Sequence, residues 1–179
     1  MPRAPRDTAA GFFHVTAHGV RDAALFPDDL DRVRFLTELA RATARTGWTC
    51  IGFCLMRTHY HLLLEVDDGA LPRGMHSLNF RYACAFNSRH RSRGHVLERR
   101  YYAGRIESGE HLVSAYRYVV QNPVVAGACR SAAEWPWSSY RAAVGGADEF
   151  TFVDPTPVLA ELAGITELAI SQLRELVES

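Results

Sequence analysis

At 179 residues, 47% of them hydrophobic, the chain is long enough for one domain with a substantial core plus a tail. No apolar run approaches the length of a membrane span, and the opening Met1-Pro2-Arg3-Ala4-Pro5-Arg6-Asp7 lacks the apolar stretch of a signal peptide, so a cytoplasmic protein is expected. The formal net charge is zero, which excludes a uniformly basic or acidic surface but conceals a strong polarity along the chain.

Phe12 to Val20 alternates and is rich in aromatic and β-branched residues, which predicts a first strand ended by Gly19 and Asp22. Pro27-Asp28-Asp29 supplies acids to the start of a helix in which Leu30, Val33, Leu36, Leu39 and Ala40 recur at helical spacing as far as about Thr46. Gly47 stops it. Trp48 to Met56 reads as a second strand, joined by a tight turn near Arg57-Thr58 to a third. Arg-Thr is a poor match to the Gly or Asn that such turns favour.

The third strand, through Val66, carries the most informative stretch. Side chains alternate across a strand, so His59 and His61 share one face, with Cα atoms roughly 6–7 Å apart, while Tyr60, Leu62, Leu64 and Val66 fill the other. Two neutral imidazoles so placed can share a divalent metal. On its own the pattern also fits two surface histidines. Asp67-Asp68-Gly69 breaks the strand, and Pro72 opens a helix carrying Met75, Leu78, Phe80, Tyr82, Ala83 and Phe86 to about His90. The polar run from Ser88 to His95 reads as a loop in which His90 and His95 are phosphate contacts or plain loop residues, and a fourth strand spans roughly Arg100 to Glu107. The order β-α-β-β-α-β predicts an α+β protein of the split, ferredoxin-like kind: an antiparallel sheet with helices packed on one face and the histidines on a central strand.

In the next helix, from about Ser108 to Gln121, Leu112, Val113, Tyr116, Val119 and Val120 fall in one sector and form the buried face. Tyr118 points to the opposite side, with Asn122 one turn further on that side. Pro123 biases Asn122 away from helical geometry, which puts it at the helix end, where the dipole favours a cation. A simple Asn-Pro stop beside a surface tyrosine explains the same spacing. From Gly145 onward, two short amphipathic helices are expected to pack on the domain. The four cysteines, Cys50, Cys54, Cys84 and Cys129, form no C-x-x-C pair and read as core thiols.

Charge is segregated. All 20 basic residues are arginine, and from Pro72 to Arg105 eight of them (Arg73, Arg81, Arg89, Arg91, Arg93, Arg99, Arg100 and Arg105) face Glu98 alone. From Gly145 to the end, seven acids face Arg174. Arginine interleaved with Tyr101 and Tyr102 suits a phosphate backbone with stackable bases, against the plainer reading of a solvated face.

Taken together, these pieces resemble the single-tyrosine HUH transposases (His, hydrophobic residue, His), and most closely the REP-associated tyrosine transposases of bacteria. The matching segments are Met56 to Leu64 with its His-Tyr-His, Leu78 to Asn87, the basic Gly94 to Arg105, Tyr118 to Gly127, and Trp135-Pro136-Trp137-Ser138-Ser139-Tyr140. Where the family usually has Pro-Asn before the first histidine, this chain has Arg57-Thr58. The resemblance implies an HUH transposase domain over 8–144 with an acidic helical extension over 145–179. It also implies that His59, His61 and Asn122 bind Mg²⁺ or Mn²⁺ (Zn²⁺ also suits the donors) and that Tyr118 is the nucleophile. The Arg81, Arg89, Arg91, Arg93, Arg99, Arg100, Arg105, Tyr101 and Tyr102 block would hold DNA. The implied enzyme is a metal-dependent single-stranded DNA endonuclease and strand transferase, a monomer or homodimer associated with the nucleoid, cutting hairpin-bearing REP-like palindromes through a 5′-phosphotyrosine link. A non-catalytic, domesticated nucleic-acid-binding module on the same fold is the main alternative. A zinc hydrolase using His-x-His is weaker, for want of a carboxylate at ligand spacing beyond Glu65.

Overall fold

The computed structural model describes residues 9–98, 100–146, 150–162 and 166–179, with the backbone alone at 166 and 167. Its elements are β1 (Gly11–His18), α1 (Asp29–Thr46), β2 (Thr49–Leu55), β3 (His59–Val66), α2 (Ala70–His90), β4 (Tyr102–Ile106), α3 (Gly109–Val125), α4 (Tyr140–Ala143), α5 (Thr156–Leu162) and α6 (Thr166–Glu178). The four strands form an antiparallel sheet in the order β2-β3-β1-β4, the expected ferredoxin-like arrangement, with β3 and β1 in the centre. No helix among the described residues is long and apolar enough to cross a membrane.

The period-2 pattern of β3 places Tyr60, Leu62, Leu64 and Val66 in a core shared with α1, α2 and the Phe13, Val15 and Ala17 side of β1. Two features of the helices differ from the sequence reading. On α1 the buried apolar residues are Phe35, Leu36, Leu39 and Ala42, whereas Leu30 and Val33 are 64% and 52% exposed. The first turn of α1 is instead held by charge. Buried Asp31 receives Arg89 at 2.7 Å and His90 at 2.9 Å from the end of α2. His90 is therefore a helix residue that joins two helices, not a loop residue. On α2, Met75, Leu78 and Tyr82 are buried but Phe80 is 62% exposed.

The β2–β3 turn closes with the Met56 N–H donating to the His59 carbonyl, and neither Arg57 nor Thr58 needs a positive φ. Tertiary bonds supply what the turn sequence lacks: the Arg57 carbonyl accepts from Leu25 and Phe26, and the Thr58 carbonyl from Gly19.

α3 starts where expected, with the Ser108 hydroxyl accepting from the His111 N–H. It does not stop at Asn122. The helix runs through Pro123 to Val125, with the Ala126 and Ala128 N–H groups bonded to the Asn122 and Pro123 carbonyls, and ends near Gly127 at φ 69°. Pro123 is buried in the apolar layer, and that packing offsets the hydrogen bond its missing N–H forfeits. Asn122 thus lies inside the last turn.

A second layer is added on the sheet's other face. Leu112, Tyr116, Val119 and Val120 of α3 join Ile51, Cys54, Leu63 and Ile106 of the sheet, and Val158, Leu173 and Val177 of the tail helices complete this core. The tail therefore packs on the domain. Only Cys50 and Cys54 are core thiols, their pKa values pushed up by burial (Cys50 to about 12); Cys84 is exposed and Cys129 partly so. The Trp135–Tyr140 segment covers the edge of β2, its Trp137 carbonyl accepting from Leu55 and its Ser139 N–H donating to Phe53.

α3 comes this close because Gly52 has no side chain. A Cβ there would lie 2.8 Å from the Tyr116 ring and 3.1 Å from the Ser139 hydroxyl. Gly52→Ala should therefore destabilise the protein by about 1–3 kcal/mol, despite the entropic advantage of alanine in a strand, as read by urea unfolding.

Candidate active site

β1 and β3 pair with His14 opposite Leu63, Thr16 opposite His61 and His18 opposite His59. Alternation puts His14, Thr16 and His18 on the same face as His59 and His61, so four imidazoles line one patch of the central strands. The rings form a chain. His14 and His61 are 5.1 Å apart between centroids, His61 and His59 5.0 Å, and His59 and His18 4.8 Å. α3 lays Tyr118 over this patch, edge-on to both His14 (5.7 Å) and His61 (5.6 Å), while the residue stays 57% exposed. Asn122, one turn on, donates its side-chain amide to the Tyr118 carbonyl at 2.8 Å and also meets His61. Tyr118, His59, His61 and Asn122, the nucleophile and ligand set expected from the sequence, are therefore brought together within one chain.

His61 is 4% exposed, and its Nε2 is buried with no hydrogen-bond partner. Its pKa is pushed down to about 3, first by burial and then by the neighbouring His14, His59 and His18, against a smaller opposing pull from the nearby Asn122 side chain. Burial also lowers His14, helped by His111, and lowers His59, helped by His18. His14, His59 and His61 are thus neutral imidazoles at pH 7.

Such donors fit a divalent cation. A buried nitrogen lone pair without a partner is costly unless something occupies it, and a cation does so without a proton. Among the described residues no three His, Cys, Asp or Glu side chains are grouped to hold a metal, so an ion bound at His59 and His61 has to draw on another kind of donor, and the Asn122 side chain beside His61 is one.

Two residues of the patch escaped the sequence reading. His14 and His18 carry the same signal as His59 and His61, an alternation that puts them on one face of β1, but four residues apart rather than two. Only pairing with β3 reveals their proximity.

The arginine–tyrosine block disperses. Arg89 is engaged by Asp28 (2.6 Å) and Asp31 (2.7 Å), so its role is to tie α2 to α1. Arg105 sits 4.8 Å over the Phe13 ring and donates to the Ala9 and Ala10 carbonyls, on the face away from the histidines. Arg81, Arg91, Arg93 and Arg100 are exposed, while Arg99 lies outside the described residues. Arg100 and Tyr101 line a groove of about 1070 Å³ together with His76, Asn79, Phe80 and Asn87 of α2. Tyr102, 67% exposed, pairs with Thr16 and so lies on the histidine face.

No family model matches the chain, and no curated protein does. A solved structure does: a REP-associated tyrosine transposase bound to a REP hairpin, at a TM-score of 0.69 and 15% identity, covering 80% of this chain and 86% of that one. At that identity the likeness establishes the fold, an α+β chain of the same architecture as that transposase.

The neutral imidazoles have a consequence for stability. Between pH 6.5 and the folded value of about 3 for His61, the unfolded chain binds a proton that the folded one refuses, so stability rises with pH in this window and falls as pH drops through 6.5. The loss should be roughly 1 kcal/mol per pH unit for His61 alone. Thermal unfolding of the chelator-treated protein from pH 7.5 to 5 should show it, and His61→Asn should flatten the profile.

Proposed function

We propose that this chain is a metal-dependent, HUH-type single-stranded DNA endonuclease and strand transferase, a transposase-like enzyme that cuts hairpin-bearing DNA through a tyrosine nucleophile. The observation that carries the proposal is the exposed Tyr118 phenol held edge-on to His61, whose buried Nε2 lacks a partner. The fold shared with a transposase named as bound to a REP hairpin supports the same reading.

In this mechanism His59, His61 and Asn122 would hold a divalent ion, Mg²⁺ or Mn²⁺. When bound, the ion polarises the scissile phosphodiester and offsets charge that develops on it, and neutral donors leave its full charge available for this. The Tyr118 oxygen loses its proton to solvent and attacks phosphorus. The P–O3′ bond breaks, the 3′-oxygen takes up a proton, and the 5′-phosphate remains joined to Tyr118. A second 3′-hydroxyl then attacks the same phosphorus and displaces the phenol, so strands are rejoined with no nucleotide consumed. Because α3 packs on its own sheet, the phenol reaches the histidines of its own subunit, and a monomer suffices.

DNA recognition follows from the edge position of β4. Tyr101 and Tyr102 are consecutive, so the pleat sends them to opposite faces: Tyr101 to the α2 groove and Tyr102 to the histidine patch. A single strand crossing the β4 edge passes from Arg100 and the exposed Arg81, Arg91 and Arg93 to the site, with both rings available for stacking. Arg89 and Arg105 are left out of this path by their intramolecular partners.

The test is incubation of the protein with hairpin-bearing single-stranded oligonucleotides and Mn²⁺ or Mg²⁺, followed by denaturing electrophoresis. A covalent protein–DNA adduct is expected. Tyr118→Phe should abolish it, a loss of at least about 10³-fold, while leaving hairpin affinity within about threefold. Hairpin binding with no adduct under any metal would favour the binding-module reading instead. Replacing Tyr102 by Ala should weaken binding by about 1–3 kcal/mol in a fluorescence-anisotropy titration, with stability unchanged.

A further inference from the structure

Each histidine of the proposed metal pair has one ring nitrogen occupied by a side chain to which the reaction above gives no role. His61 Nδ1 lies 2.9 Å from His14 Nε2, and His59 Nδ1 lies 3.1 Å from the Thr58 hydroxyl. The His14 and His61 rings are tilted by only 21° with their centroids 5.1 Å apart, so the two nitrogens meet nearly in the plane of both rings, where their lone pairs and N–H bonds lie.

Two neutral imidazole nitrogens at hydrogen-bond distance share one proton, and there are two ways to assign it. If His14 donates, His61 must carry its own proton on Nε2. That puts an N–H in a buried position with no acceptor and uses up the lone pair that faces the site. If His61 donates from Nδ1, its Nε2 is a bare lone pair, and only such a nitrogen binds a cation. The Thr58 hydroxyl, which both donates and accepts, can take an Nδ1–H from His59 in the same way.

We infer that His14 and Thr58 are positioning residues, which accept the Nδ1–H of His61 and His59 and so hold both Nε2 lone pairs available to one divalent cation. The inference rests on the metal reading proposed above. It gives Thr58, where the resembled family usually has Asn, the job of an acceptor immediately before the first histidine. It gives His14 a reason to be an imidazole on a strand position opposite Leu63. Metal-ligating histidines elsewhere depend on such partners for tautomer and orientation.

Two readouts test it, neither needing DNA. In ¹⁵N-labelled, chelator-treated protein at pH 7.5, long-range ¹H–¹⁵N correlations should show His61 protonated on Nδ1. In Mn²⁺ titrations followed by electron paramagnetic resonance, His14→Phe should weaken binding by about 10–100-fold. His14→Gln, whose amide oxygen keeps an acceptor, should restore most of the affinity. Thr58→Val and Thr58→Ser should behave as the matching pair at His59, with circular dichroism confirming that each variant is folded. His61 protonated on Nε2, or Phe and Gln variants that bind Mn²⁺ equally well, would overturn the inference while leaving the metal reading intact. A wild-type protein that takes up no Mn²⁺ overturns both.

Discussion

The site depends on how closely α3 lies against the sheet. Gly52 in β2 admits the Tyr116 ring to a distance that a single methyl group would forbid, and a register shift between Cys50 and Gly52 bends the strand at the same place. Tyr116, Val119 and Val120 then fix the rotation of the helix about its axis. Tyr118 and Asn122, four residues apart, are carried by that rotation to the histidine side. The tail adds a clamp from behind: Gln121 donates to the Val177 carbonyl, and the Tyr140 hydroxyl bonds Glu178. The acidic extension is thus a brace for α3, packed beside it over the same face of the sheet.

The electrostatics of the patch follow from the same packing. Burial between two helical layers makes charged imidazole expensive, and each neighbouring imidazole adds to that cost. The result is that His14, His59 and His61 resist protonation. The nearby Tyr118 remains open to solvent, as the nucleophile proposed above requires. A buried, unpartnered imidazole nitrogen beside an accessible oxygen is a division of labour suited to the proposed attack on a phosphodiester.

How much of this the sequence displayed varied with the range of the interaction. The alternation in β3 exposed His59 and His61 directly, and helical periodicity separated Tyr118 and Asn122 from the buried face of α3. Strand order followed from element order. What stayed hidden depended on partners remote in the chain. His14 and His18 gain meaning only from pairing with β3, 47 residues away in the case of His14 and His61. The apolar stripe of α1 was misplaced because Asp31 is buried by Arg89 and His90, 58 and 59 residues distant. Proline's local cost points to a helix end at Asn122, but Pro123 is buried and the helix continues to Val125. The arginine count overstated the basic surface for a related reason: Arg89 and Arg105 spend their charge on contacts within the fold.

The central claim is that the unpartnered Nε2 of His61 is reserved for a cation shared with His59 and Asn122. Anomalous diffraction from crystals of the wild-type protein grown with Mn²⁺ tests it most directly. The account predicts one strong peak within bonding distance, about 2.2 Å, of His61 Nε2, with His59 and the Asn122 side chain as neighbours. A peak on His14 or His18 instead, or none on this face of the sheet at saturating Mn²⁺, would contradict it.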